Sequence, residues 1–284
     1  MSSGPTIFDR SLLRARQQRA RALGAETFLL DRVAAELGER LAAVLRKFER
    51  AADIGTPTDA VQRELTGKVG SIGHIEIGDD EVVRALDASL NLAVSALALQ
   101  FVNDLPGVLV QIRRALKPDG LLLAAMIGGE SLTELRQAFA QAESEIEGGL
   151  SPRVAPFADI RDLGGLLQRA GFALPVIDSE RVTVRYSSAF NLMHDLRRMG
   201  ATNALAERRR KPLRRTTLLR MAEIYGERFA DPDGRLRATF EIVWLSGWAP
   251  DPSQQKPLKP GSAKLRLADA LNTKEIPAGK KPRP

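Results

Sequence analysis

Ala51-Ala52-Asp53-Ile54-Gly55-Thr56-Pro57-Thr58-Asp59 reads as the end of a first β-strand, a turn, and the entry to a helix through Ala60-Val61-Gln62-Arg63-Glu64-Leu65. In an open α/β sheet, ligands bind in the crevice beyond the carboxyl ends of the strands. A glycine in a strand-to-helix turn marks where a nucleotide-like ligand is first sought, because the free N–H groups of a helix start face it. A full fingerprint needs several glycines, since only glycine lets the backbone approach at positive φ without steric cost. This turn has one, Gly55, with Pro57 and Asp59 where others would stand.

The segment before the turn predicts two helices. The first, Arg10 to Leu23, is strongly basic. In the second, Phe28, Leu29, Val33, Leu37, Leu41, Leu45 and Phe48 recur at helical spacing and lead directly into the strand. After the turn come a short helix near Asp59–Leu65, a weak strand at Val69–Ile77 and the acidic turn Gly78-Asp79-Asp80-Glu81. Leu90 to Leu97 is a continuous apolar run, the pattern of a strand buried on both faces of a parallel sheet. Leu105, Val108, Leu109, Ile112 and Leu116 make the next helix face, and Lys117-Pro118-Asp119-Gly120 is a turn before a second buried strand, Leu121 to Met126.

Ser131 with Glu134 has the spacing of a capping box for a helix through Leu135, Phe139 and Ile146. A helix through Ile160 and Leu167 closes at Gly171, and Val182, Val184 and Tyr186 alternate as a strand. Helices at Ala189–Met199 and Leu213–Phe229 follow, the second carrying a basic face. Phe240, Ile242, Trp244 and Trp248 alternate in a last strand, where both tryptophans are most simply core. Strands alternating with helices indicate an α/β fold with a mostly parallel sheet. The expected organisation is a helical segment over 1–49, an α/β domain over 50–250 with a helical insertion at about 188–230, and an extended, partly disordered basic tail over 251–284.

Composition excludes several classes. The 284 residues contain no cysteine, which removes disulfides, thiolate catalysis and cysteine-bound metal. No apolar run approaches the roughly 18 residues of a membrane span. The N-terminus has no apolar signal region. The net charge of +7 suits an acidic partner, and Arg208, Arg209, Arg210, Lys211, Arg214 and Arg215 concentrate it; the alternative is a solvated helix face. The two histidines, His74 and His194, do not assemble a metal site at helical spacing, so none is expected.

A strand ending in Asp53-x-Gly55, a buried strand followed by Asn103-Asp104, and Leu116-Lys117-Pro118-Asp119-Gly120 before the next strand are similar to the class I methyltransferases that use S-adenosylmethionine. Ile7-Phe8-Asp9-Arg10, Gln100-Phe101-Val102-Asn103-Asp104-Leu105-Pro106, Gly148-Gly149-Leu150-Ser151-Pro152, Leu192 to Asn203 and Gly261-Ser262-Ala263 extend the likeness. Together they resemble the mitochondrial complex I assembly factor five family and its bacterial relatives, over roughly residues 7 to 270. The resemblance implies a methyltransferase-like (Rossmann-like) sheet with its last strand antiparallel. It also implies a role in maturing NADH:quinone oxidoreductase, with a complex I subunit as protein substrate and modification of a protein arginine, described as hydroxylation for the mitochondrial relative. Because the family's opening motif starts at Ile7, a bacterial member is expected, cytoplasmic or peripheral at the inner membrane.

Within that resemblance, the 38 positions from Asp53 to Asn91 are about one βα unit too few, and the missing piece is expected to be the second strand. S-adenosylmethionine is the expected cofactor, with Asp53, Gly55 and Thr56 at its site and Asp79 and Asp80 on the adenosine side. The alternatives are an inherited turn without ligand and a solvated acidic turn. Gln100, Asn103 and Asp104 follow the buried strand where substrate contacts occur, although Asn103-Asp104 equally suits the N-cap of the next helix. No residue is singled out as catalytic. The rival functions are a non-catalytic assembly chaperone on a decayed methyltransferase fold and, weaker, a nucleic-acid methyltransferase. The last lacks an aromatic-rich basic patch.

Overall fold

Leu92 and Val94 on one face of Leu90–Ala96 are each worth roughly 1.5–3 kcal/mol when buried, and small Ala93 and Ser95 on the other face leave room for a second layer. In the computed structural model, which describes residues 6–255, 262 and 267–274, this run is strand β3, and Leu92, Ala93 and Val94 are fully buried. Leu92 and Val94 enter one apolar core and Ala93 the other, so β3 lies in the middle of the sheet with helices on both faces.

Among the described residues six strands form one sheet: β1 Arg50–Ile54, β2 Ser71–Ile75, β3 Leu90–Ala96, β4 Leu116–Ile127, β5 Ala173–Tyr186 and β6 Leu236–Trp248. Their order is β2-β1-β3-β4-β6-β5. The first four are parallel, and β6 runs antiparallel to both neighbours. The helices are α1 Arg10–Ala22, α2 Phe28–Ala42, α3 Ala60–Leu65, α4 Leu105–Ala115, α5 Thr133–Glu147, α6 Ile160–Arg169, α7 Ala189–Arg198 and α8 Arg215–Phe229. The compact unit runs through Asp251 and includes α1 and α2. In the second unit, Pro252–Pro284, the described residues hold a four-residue helix, Leu267–Ala270. Most of the tail expected over 251–284 lies outside the described residues.

The crossover from β1 to β2 packs Val61 and Leu65 of α3 into one core, whereas the crossover from β3 to β4 packs Val108 and Ile112 of α4 into the other. The chain therefore leaves β1 and β3 toward opposite faces. Their carboxyl ends form the switch point where such sheets bind ligands.

Four expectations need correction. The second strand is present: Ser71–Ile75 pairs with β1 over its whole length. What the doubly wound order lacks is the third strand that would flank β2. Edge position explains the weak signal, because Ser71, Gly73 and His74 are exposed and need no apolar side chains. Lys117–Gly120 is not a turn between elements but a bulge inside β4, since pairing jumps from Leu90/Leu116 to Leu92/Leu121 and Asp119 takes φ +61°. Helix α2 stops at Ala42, leaving Leu45 98% exposed, and Phe48 is buried from the connecting loop.

The capping box does not form either. Leu132 occupies the N-cap position of α5 without a side-chain cap. Ser131 exchanges hydrogen bonds with the Glu241 backbone, at 2.9 and 3.2 Å. Glu134 accepts from the hydroxyl and N–H of Thr239, at 2.5 and 3.2 Å. Partners on β6 outcompete the local ones.

Candidate functional site

Strand β1 ends in a network of buried polar groups. Asp53 is fully buried. Its Oδ1 accepts the Thr56 hydroxyl, and its Oδ2 lies 3.3 Å from His74 Nδ1 on β2. Thr56 Oγ1 also accepts the Ala96 N–H of β3 at 3.1 Å, and the Ser95 hydroxyl donates to Ile54 O at 2.7 Å. Three strands are thus pinned through four side chains. Burial pushes the Asp53 carboxyl above its ordinary range, against the lowering effect of Thr56 and His74.

Gly55 has φ +73°, and a Cβ there would meet Ile77 Cδ1 at 3.2 Å. Its N–H donates to Ile75 O at 2.9 Å, tying the turn to β2. Beyond the turn opens a crevice of about 300 Å³, walled by Gly55, Thr56, Pro57, His74, Glu76 and Ile77. Helix α1 roofs it with three arginines. Arg10 donates to Ile77 O at 2.7 Å and Phe101 O at 3.2 Å, Arg14 pairs with Asp79, and Arg21 donates to Pro57 O at 2.8 Å.

The structure brings Gly55 and Thr56 to this crevice, with Asp53 beneath. Asp79 and Asp80 sit instead on an open cleft of about 620 Å³ on the outer side of β2, paired with Arg14 and Arg84. The residue missed by sequence reasoning is Glu76, which borders both spaces. Its carboxylate makes no hydrogen bond or ion pair among the described residues. It stands 21 residues after Gly55 and follows β2 directly, the spacing at which an acid meets ribose hydroxyls in dinucleotide folds. Taking the second strand as missing hid it.

The three residues after β3 have different work. Asn103 accepts the N–H groups of Ile7 and Phe8 at 2.8 Å each and donates to Phe8 O at 3.1 Å, docking the N-terminal strap. Asp104 caps α4 through Gly107 N at 2.9 Å. Glu81, also missed, accepts the backbone N–H groups of Asn103 and Asp104 at 2.7 Å each and so sets the loop. Gln100, 7% exposed, lines a mostly apolar cavity of about 110 Å³ next to the crevice.

The basic cluster is partly consumed. Arg208 pairs with Asp9, Arg209 with Glu147, and Arg220 with Glu145 and Glu223. Arg210, Lys211, Arg214 and Arg215 are exposed and form no ion pair among the described residues. Since α8 begins at Arg215, most of the cluster lies in the loop before it, not on a helix face. His194 lines a groove between α5 and α7. Trp244 is buried under the Arg40 guanidinium, 4.2 Å from its ring centre. No helix among the described residues is long and apolar enough to cross a membrane, and no group of three or more metal-ligating side chains clusters there.

Residues 35–124, from within α2 to the middle of β4, match the family model of a methyltransferase domain. A solved structure of a candidate methyltransferase from Bacillus halodurans superposes with a TM-score of 0.51 at 15% identity, covering 77% of this chain and 99% of that one; the likeness is one of fold. The arginine-hydroxylase NDUFAF5, mitochondrial, of Danio rerio is 35% identical over 94% of this chain and 90% of its own length. The protein of the same name from Rattus norvegicus is 37% identical over 93% and 83%. Similarity at that level, sustained from the N-terminal strap through the sheet, means that the chain belongs to the NDUFAF5 arginine-hydroxylase family.

Proposed function

We propose that this chain is an S-adenosylmethionine-dependent, methyltransferase-like protein that modifies a protein arginine during maturation of NADH:quinone oxidoreductase. The observation that carries the reading is Glu76, an uncommitted carboxylate at the end of β2, bordering the same crevice as Gly55. The methyltransferase-domain match spans both residues. The arginine comes from the name of the relatives, and complex I from the resemblance carried by the Ile7–Arg10, Gln100–Pro106 and Leu192–Asn203 motifs.

The residues fit the cofactor. Gly55 keeps the turn free of a side chain, so backbone can approach a ligand. Glu76 would hold the ribose hydroxyls, with Asp79 and Asp80 beyond it in the adjoining cleft on the adenine side, and Asp53 and Thr56 would hold the turn in place. When bound, S-adenosylmethionine supplies an electrophilic sulfonium methyl. The roof of α1 arginines excludes water, and Gln100 faces the substrate side, with Asn103 and Asp104 shaping the loop behind it. Arg210, Lys211, Arg214 and Arg215 would dock an acidic partner. The expected setting is a bacterial cytoplasm, at the periphery of the inner membrane, with no part for nucleic acid.

A second reading, a non-catalytic assembly chaperone, is favoured by one observation: the Asp53 carboxylate is already occupied by Thr56 and His74. Calorimetric titration of the full chain with S-adenosylmethionine separates the two. The enzyme reading expects binding that Glu76→Ala weakens roughly tenfold or more, the loss of a charge-assisted hydrogen bond. No binding at ligand concentrations on the order of millimolar leaves the chaperone.

A further inference from the structure

Gln100 Oε1 is a buried acceptor with no hydrogen-bond partner among the described residues. Its orientation is set by the other half of the carboxamide: Nε2 donates to Leu97 O at 2.7 Å. Only an N–H can satisfy that carbonyl, so the oxygen must face the other way. An orphaned buried acceptor is costly to a fold. The one here borders the cavity of about 110 Å³, whose walls include Leu29, Leu30, Ile127, Leu132 and Phe240. The charged groups on those walls are already engaged: Arg21 donates to Pro57 O, and Arg198 donates to Gly24 O at 2.7 Å with Glu26 3.4 Å away.

This cavity is a middle chamber. It shares Gln17, Arg21, Pro57 and Phe101 with the crevice over Gly55. On its other side it shares Phe101, Leu132, Phe157, Leu196 and Ala201 with the groove of about 480 Å³ that carries Met193, His194 and Arg197 of α7. A molecule entering by the groove passes Arg153, His194 and Arg197 among Phe139, Phe190 and Met193, then the apolar walls of the chamber, and meets the Gln100 acceptor last. That sequence of environments selects an aliphatic stem ending in an N–H donor.

We propose that Gln100 is the specificity residue of the substrate path: its Oε1 receives an N–H of the target side chain, which arrives head group first, stem trailing, through the α7 groove. The chemical class is an N–H donor on an aliphatic chain, and under the reading above the donor is an N–H of a guanidinium. The inference rests on that reading for the identity of the head group, but its contact and path rest on Gln100 alone.

The test uses the full chain and n-butylguanidinium as probe, with methyl pentyl ether as a stem of similar length lacking any donor. In the wild-type protein, the Gln100 side-chain amide resonances should move with butylguanidinium and stay in place with the ether. In Gln100→Met, which keeps the volume but lacks the acceptor, the butylguanidinium Kd should rise roughly tenfold or more. An unchanged Kd in the variant, still Gln100 resonances in the wild type, or equal binding of ether and guanidinium overturns the proposal. Should the variant misfold, the wild-type resonances decide alone. Loss of S-adenosylmethionine binding alongside Gln100-dependent guanidinium binding would sink the cofactor reading and spare this one; the opposite pattern does the reverse.

Discussion

Asp53 and His74 are register partners on neighbouring parallel strands, and their side chains meet with Nδ1 3.3 Å from Oδ2. One partner is fully buried and the other stands at the mouth of the crevice, so the edge strand is held to the sheet by a pair that is dry on one side and wet on the other.

The pair has a pH consequence. The Asp53 carboxyl is pushed up from 3.8 by burial, so between 3.8 and its folded value the native state holds more protons than the unfolded chain. Its contribution to stability is therefore greatest in acid and declines as pH rises through the folded value. Asp53→Asn keeps an acceptor for Thr56 and lacks the titration. Its stability relative to wild type should improve from about pH 4 to about pH 7 in urea unfolding; a gap that stays flat or moves the other way refutes the assignment.

Gly55→Ala should be destabilising twice over. The left-handed conformation costs a residue with a Cβ about 1–2 kcal/mol, and the methyl meets Ile77 Cδ1 at 3.2 Å. Adding Ile77→Val should recover only the part of the steric cost that Cδ1 causes, because Ile77 Cγ1 at 3.3 Å and Ala98 Cβ at 3.4 Å remain. Full recovery in the double variant, read by thermal unfolding, would mean that backbone conformation at Gly55 is not constrained.

Asn103→Ala removes the three hydrogen bonds that dock Ile7 and Phe8. Trypsin should then cut faster within α1, at Arg10, Arg14 or Arg16, before the sheet opens. Asp104→Ala removes the α4 cap instead, costing about 1 kcal/mol without exposing α1. Equal cleavage rates at α1 in the two variants would show that the strap is held elsewhere.

The exposed quartet and the paired arginines should separate cleanly. Changing Arg210, Lys211, Arg214 and Arg215 to alanine should shift unfolding by less than about 0.5 kcal/mol each, and it should abolish salt-sensitive binding to poly-L-glutamate. Arg209→Ala leaves the buried Glu147 carboxylate with Thr217 as its remaining partner and should cost about 1–3 kcal/mol. Retained polyglutamate binding by the quartet variant would remove the acidic-partner reading of this surface.

Much of this was legible in one dimension because burial on two faces demands apolar residues at consecutive positions. Leu90–Ala96 and Leu121–Met126 announce themselves in that way, and Phe240, Ile242 and Trp244 alternate as an antiparallel strand must. Asp53, Gly55 and Thr56 were findable because a strand-to-helix turn has its own chemistry. Ser71–Ile75 was undervalued because an edge strand is half wet, and Glu76 was lost with it. Glu81 gave no signal, since a carboxylate bonded to backbone N–H groups 22 residues on looks like any surface acid in the chain.

The local pattern of the chain specifies which segments are strands and helices, and therefore an α/β sheet with its ligand edge after Asp53-Ile54-Gly55, because periodicity and turn chemistry are properties of neighbouring residues. Three-dimensional packing alone assigns the work of the polar groups: Asp53 goes to Thr56 and His74, Asn103 to the strap, Ser131 and Glu134 to β6, while Glu76 and the Gln100 oxygen stay uncommitted. A buried polar group takes the partner that comes within hydrogen-bond reach, and that partner is set by chain segments tens of residues away. The opening turn is thereby recast. Its aspartate holds the sheet together, and the acid free to meet a ligand stands one strand over.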